Sequence, residues 1–407
     1  MKWLKSSLDK KLILDKCMKK YLNSKRSIKA YQSKLMNDSL EKELETNYKK
    51  KESLRAINYN NALVCPLKKS SRNNSPTLLG GVYDSEGSFI YDSLTRRVSP
   101  PNIKMFFDDW FGSSLEEDHS NINKLDKKVI FLGALPKHYG HFITEGISRL
   151  WYISQTNDQD AEFVYISEDG PDRFLEIFEI FGIDLSRTHK IEEPTEFSEV
   201  VIPEASIRLH DYYHDDYEVT ISTILNSVPS SNVDKIYLSK KQRFNGRALG
   251  ERSIERIFKR NGFKILYPES IPLINFFSIL KSAKVLASSS GSSAHNAIFL
   301  DKSAQFICLN RSRHHHPLQI MIDEMRELNV VYIEACMNIF RNDFSGGPYN
   351  LFPTRYLSSF FADSNFKSFS IFDLAHSFFS TIFYIFYTIF LGKFVNYLLK
   401  IKNSILK

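Results

Sequence analysis

Cysteine is scarce and scattered: four in 407 residues, at Cys17, Cys65, Cys308 and Cys336. Spacing so wide excludes a zinc-ribbon or zinc-finger pattern, and the number is too small for a disulfide scaffold. Cys308 lies in an apolar run and reads as a plain core residue. Glycine (16) and proline (14) are not enriched, which excludes collagen-like and broadly disordered chains. The opening stretch MKWLKSSLDKKLILDK is basic but has no uninterrupted apolar run, so it lacks the form of a secretory signal. Together these absences lead us to expect a reducing compartment and a cytoplasmic working face.

Charge is present but unevenly spread. The net +7 hides a first segment, residues 1–60, with 16 Lys+Arg against 7 Asp+Glu. The rest of the chain holds 38 basic and 40 acidic residues and is close to neutral. That distribution argues against a nucleic-acid groove across the body and for a basic arm at one end. Acidic and basic residues are both missing from 374–392, LAHSFFSTIFYIFYTIFLG, and Lys393, Lys400, Lys402 and Lys407 follow. Nineteen helical residues measure about 28 Å, near the lower limit for crossing a bilayer. An in-plane or shallowly inserted helix on an anionic membrane surface fits better, and a core-facing hairpin is the plainer alternative.

Between those ends, apolar runs of strand length alternate with helical patterns. Strands are predicted at 128–132, 162–166, 199–203, 235–239, 264–267, 285–287 and 306–309, with helices at 141–153, 173–181, 251–261 and 274–281. Alternation of this kind predicts an α/β protein with parallel sheets covered on both faces. The boundaries read as a basic helical arm over 1–58, an α/β domain over 59–228, a second over 229–355, and an apolar, basic tail over 356–407. Leu4, Leu8 and Leu12 at intervals of four support the helical reading of the arm. His210, His214, Asp211, Asp215 and Asp216 form a loop without sharp metal-ligand spacing, and no metal is expected there.

Three stretches carry candidate chemistry. In KHYGHFITEGISRLWYI, His141, Glu145 and Arg149 fall at i, i+4 and i+8, one face of a helix, with His138 on the preceding loop. A carboxylate one turn from an imidazole can orient it for general-base work; the plainer reading is a surface ion network. In YLSKKQRFNGRALGER, Lys240, Lys241, Arg243 and Arg247 follow a strand, where cations can meet a diphosphate or form an ordinary basic loop. In KVLASSSGSSAHNAIF, a strand, a turn of small residues around Gly291 and a helix opening at Ala294 set backbone N–H groups toward an anion. An ordinary βα turn capped by Ser292 or Ser293 is the competing reading. The run NRSRHHHPLQ is expected to be a solvated or phosphate-facing loop, with Arg311 and Arg313 its functional members.

In this order the three stretches resemble glycosyltransferase family 61. The matching residues are His141, Glu145, Arg149 and Leu150; then Tyr237, Leu238, Ser239, Lys240, Arg247 and Glu251; then Ala283, Lys284, Val285, Gly291, Ser292, Asn296 and Phe299. The resemblance covers roughly 128–310. It departs from the family pattern at Lys240, where an Arg is usual, at Gly250, where an Asn often precedes the Glu, and at Ser288 and Ser290. The resemblance implies two Rossmann-like domains in a GT-B-like arrangement and an inverting transfer from a nucleotide sugar, with no cofactor and no metal. It implies a glycan or lipid-linked acceptor in surface-polysaccharide synthesis of the bacterial type; the lack of a secretory signal and the apolar, basic tail add the expectation of a place on the cytoplasmic side of the inner membrane.

Under that reading His141 and Glu145 are the catalytic pair. Arg149, His138, Ser239, Lys240, Arg243, Arg247, Glu251, Gly291, Ser292, Ser293, His295 and Asn296 bind substrate. Two rivals stand beside it: a silent glycan- or nucleotide-binding subunit of a membrane assembly, and a sugar-phosphate transferase.

Overall fold

The computed structural model describes residues 18–23, 26–45, 48–70, 77–93, 122–156, 161–167, 174–209, 211–240, 248–337 and 349–387. They form an α/β protein of two compact units. One comprises Asn47–Pro229 with Leu273–Ser278, and the other Met1–Thr46, Ser230–Pro272 and Ile279–Lys407.

The unit built on 47–229 has a six-stranded mixed sheet. Its order is Thr77–Tyr83, Ala56–Ser70, Thr195–Pro203, Asn123–Ala134, Glu162–Ile166, Thr188–Lys190. Ala56–Ser70 runs antiparallel to both its neighbours, and the remaining pairs are parallel. The strand Asn123–Ala134 shows how sequence sets position. Its polar first half, NKLDKK, is exposed, and its apolar second half, VIFLGA, is buried between neighbours on both sides. A continuous apolar run is what a strand covered on both faces requires. Phe131, Val164, Val200 and Val64 meet in the core beneath it.

The unit built on 230–407 has a seven-stranded sheet. Its order is Met18–Asn23, Arg26–Tyr31, Asn329–Glu334, Gln305–Asn310, Val285–Ser289, Lys235–Leu238, Lys264–Leu266. All pairs are parallel except the first two strands, which form an antiparallel hairpin. Helix Glu251–Arg260 packs through Ile254, Ile257 and Phe258, an i, i+3, i+4 stripe. Its first residue is acidic and its last two are basic, matching the helix dipole.

The N-terminal arm requires a correction. Met18–Asn23 and Arg26–Tyr31 are strands rather than helix, and only Lys34–Leu44 is helical among the described residues before Lys49. In Arg26–Tyr31, Ile28 and Ala30 are buried while Ser27 and Lys29 are only partly covered. That is the two-residue alternation of a strand, and Val330–Ile333 pair with it. The stretch Leu4 to Leu12 lies outside the described residues.

Candidate active site

In the 47–229 unit the site begins where Asn123–Ala134 ends. The chain turns through a short helix at Tyr139–His141, then widens into a π-helical turn over Phe142–Gly146. Ile147 N–H reaches back five residues to Phe142 O at 3.1 Å. A wide turn leaves carbonyls off the usual ladder, and side chains take them up. Thr144 Oγ1 donates to Gly140 O at 2.9 Å, Ser148 Oγ to Glu145 O at 2.6 Å, and the Tyr217 hydroxyl to Ile143 O. Such π-bulges occur often at functional sites.

The turn presents His141 and Glu145 together. Nδ1 of His141 and Oε2 of Glu145 are 2.9 Å apart, without the alignment of a hydrogen bond. The carboxylate is enclosed, its side chain 3% exposed, whereas the imidazole keeps 27%. The carboxylate is therefore buried and the imidazole ring accessible. His138 stacks obliquely on His141, ring centres 5.1 Å apart, and is itself exposed.

Arg149 does not share this face, and the expectation of three residues along one helical face is corrected here. The π-turn adds a residue to the helical repeat, so Arg149 turns inward. Its guanidinium donates to Pro203 O and to Asp92 O, the latter at 2.8 Å, and lies over the Phe131 ring. Burial pushes its pKa down to about 10, so it keeps its charge at neutral pH inside the unit. Gly133 makes room: a Cβ there would stand 3.0 Å from Arg149 Nε. This geometry makes Arg149 a strut between the turn and the sheet.

In the 230–407 unit the strands Lys235–Leu238 and Val285–Ser289 end side by side. Beyond them Lys240, Glu251, Gly291, Arg311 and Tyr349 converge. Lys240 is buried, and its ammonium donates to Ser289 O at 3.1 Å and to Ser290 O. Glu251 is also buried; Oε1 accepts from the Tyr237 hydroxyl at 2.7 Å and from Lys240 N–H at 3.4 Å. Burial, opposed by Tyr237 and Lys240, pushes the Glu251 carboxyl up to about 7. Gly291 has φ +100°, and a Cβ there would meet Arg311 NH2 at 2.8 Å and Lys240 Nζ at 3.2 Å. Two cations thus flank a backbone position that only glycine leaves open. Arg311 stacks on the Tyr349 ring, 4.6 Å from its centre. Tyr349 sits nearly forty residues beyond Arg311 in the chain, with no local pattern to flag it in the sequence.

The remaining expected residues divide. Ser239 donates to Glu255 at 2.7 Å and is buried; Asn296 donates to Ser293 O at 3.0 Å and is buried. Ser292 and Ser293 are half-buried on the turn. His295 faces inward, its Nδ1 2.9 Å from Gln319 Oε1, and Gln319 in turn donates to Asp323 at 2.8 Å. Arg243 and Arg247 lie outside the described residues.

Two expectations about this region are corrected. The turn does not open an α-helix: Ala294–Phe299 is a six-residue 3-10 helix, and Ala294 N–H is already bonded to Gly291 O. A helix so short contributes little dipole, so any attraction for anions falls to the cations. The triple histidine is a solvated loop only in part: His314 is exposed, but His315 is not. His315 is buried against Gln32, 3.1 Å from its Oε1, and burial drops its pKa to about 3, leaving it neutral. Among the described residues no three His, Cys, Asp or Glu side chains are grouped to hold a metal.

Residues 139–307 match the family model described as Glycosyltransferase 61. Through this region the chain is similar to glycosyltransferase family 61. The match begins at Tyr139, two residues before His141, and ends at Ile307 inside the strand Gln305–Asn310. The family 61 region therefore includes His141, Glu145, Lys240, Glu251 and Gly291, but neither Arg311 nor Tyr349. The match supports a glycosyltransferase. No curated protein matches it.

Proposed function

We propose that this glycosyltransferase inverts the anomeric centre of a nucleotide-sugar donor while moving the sugar onto a glycan or lipid-linked acceptor, in surface-polysaccharide synthesis. The observation that carries the reading is the division of labour between His141 and Glu145, an accessible imidazole beside an enclosed carboxylate. His141 takes the proton from the acceptor hydroxyl, and Glu145 steadies the imidazolium that results. The hydroxyl oxygen attacks the anomeric carbon from the face opposite the diphosphate, whose bond to that carbon breaks. Their contact lies off ideal alignment here, and catalytic contacts of this kind tighten when substrate binds.

The leaving diphosphate carries the developing negative charge, and stabilising it is often the largest part of catalysis. Lys240 and Arg311, on either side of Gly291, are the cations we assign to it. Lysine in place of arginine at 240 offers a point charge rather than a two-pronged contact, and Arg311 supplies the planar fork.

The deciding experiment screens nucleotide sugars for thermal stabilisation of the purified chain, then assays transfer with the donor that binds. His141→Ala and Glu145→Gln are each expected to lower turnover by roughly 100-fold or more while donor binding persists. Near-normal turnover in both removes the pair from the mechanism. Donor binding with no transfer to any acceptor favours a silent subunit, and a phosphodiester product favours sugar-phosphate transfer.

A further inference from the structure

The helix Ile371–Phe386 is built inside out. Asp373, Ser377 and Thr381 recur every fourth residue, and with Tyr384 they make up its buried stripe. Its large apolar side chains occupy the opposite arc: Phe372 is 78% exposed, Phe379 69% and Phe378 61%, with Ile382, Phe383 and Phe386 each about half exposed. A helix on the surface of a soluble protein normally turns its apolar stripe inward and its polar face to water. This orientation is fixed by bonds within its own unit. Asp373 pairs with Arg260 at 2.5 Å and Arg256 at 3.5 Å, His376 Nδ1 lies 2.9 Å from Ser253 Oγ, and Asn350 donates to Thr381 at 2.8 Å. Ser370 and Asp373 close a capping box at its start. Rolling the helix over to hide the phenylalanines would bring Asp373 out of these contacts and break all of them.

We infer that this outward face is a membrane-docking surface, lying in the plane of an anionic bilayer with its phenylalanines among the outer acyl chains. At about 1.5 Å per residue the 16-residue helix is about 24 Å long, short of a bilayer's hydrocarbon core. No helix among the described residues is long and apolar enough to cross a membrane. In-plane burial needs only one apolar face, and that is what the helix offers.

Charge selects the occupant. Beyond Asp373 the chain has no acidic residue, while Lys393, Lys400, Lys402 and Lys407 follow the helix. Lysines next to an apolar helix face are drawn to anionic headgroups. This inference stands apart from the transferase reading and survives or fails without it.

The test is flotation of the full chain with phosphatidylglycerol–phosphatidylcholine vesicles and with phosphatidylcholine vesicles alone. The chain is expected to float with the anionic vesicles and much less with the neutral ones. The triple variant Phe372→Ser, Phe379→Ser, Phe383→Ser should lose binding about tenfold or more, with its circular dichroism unchanged. Leu35→Ser, which removes an exposed apolar side chain elsewhere in the unit, should leave binding unchanged. A single variant, Phe379→Trp, should show a blue-shifted emission component on adding anionic vesicles. Flotation that survives the triple substitution, absence of the shift, or a wild-type chain that ignores vesicles and elutes as a dimer would overturn the inference.

Discussion

Tyr237 donates its hydroxyl to Oε1 of Glu251 at 2.7 Å, while Oε2 of the same buried carboxyl has no hydrogen-bond partner among the described residues. Burial favours the neutral form of this carboxyl, outweighing the Tyr237 hydroxyl and Lys240, which both favour the charged one.

From this follows a pH dependence with a definite sign. With its pKa raised to about 7 from 4.5, Glu251 binds a proton in the folded state over a window where the unfolded chain has released it. Stability is then favoured at low pH and lost as pH rises from about 4.5 through about 7. A shift of this size corresponds to about 3 kcal/mol. Glu251→Gln should abolish this dependence, so that the variant gains on the wild type between pH 5 and pH 8. Urea unfolding at both pH values measures it, and a difference between the proteins that does not change with pH would refute the assignment.

Arg149 is predicted to matter for folding more than for turnover. Arg149→Met leaves the carbonyls of Pro203 and Asp92 without their donor inside the unit. The expected loss is about 3 kcal/mol, with kcat per folded molecule close to wild type. A drop in kcat with unchanged stability would instead return Arg149 to the substrate.

Gly250 precedes Glu251 with φ +75°, and a Cβ there would lie 1.8 Å from Leu351 O, a backbone atom that cannot swing aside. This explains the departure from the asparagine found in the family pattern. Asparagine tolerates the left-handed backbone but not the collision. Gly250→Asn should cost about 3 kcal/mol in a denaturant titration, and a neutral result would mean that the Tyr349–Asn350 strand yields easily.

Gly291→Ala and Arg311→Ala should act alike on donor binding, because the new methyl group displaces the same guanidinium that the second variant deletes. Each is expected to weaken binding of a nucleoside diphosphate by roughly tenfold, read by calorimetry. Unchanged affinity in both would remove the serine turn from the donor site.

Much of the sheet architecture was legible because its strands are apolar runs bounded by polar residues. Glu162–Ile166, Lys235–Leu238 and Gln305–Asn310 are of this kind. The hairpin at 18–31 was obscured because its lysines and arginine dominate the composition, while the alternation of Ile28 and Ala30 is only two residues long. At the site, the His141–Glu145 juxtaposition could be read from spacing, since one turn of either an α- or a π-helix keeps residues four apart on neighbouring rows. The place of Arg149 could not, because the extra residue of the π-turn lies between them and no sequence rule announces it. His315 was misread for a related reason: three adjacent histidines look alike in sequence, and burial by Gln32, almost three hundred residues earlier, tells them apart.

The strand Arg26–Tyr31 finds its parallel partner in Asn329–Glu334. A ribosome finishes Asn47–Pro229 long before it reaches that partner, so Arg26–Tyr31 must wait, open on that edge, through most of translation. Pairings this distant fold slowly, and an unmatched strand edge invites other chains. The basic residues crowded into those first sixty positions are then well placed to act as gatekeepers, repelling sister chains until the last parallel strand arrives.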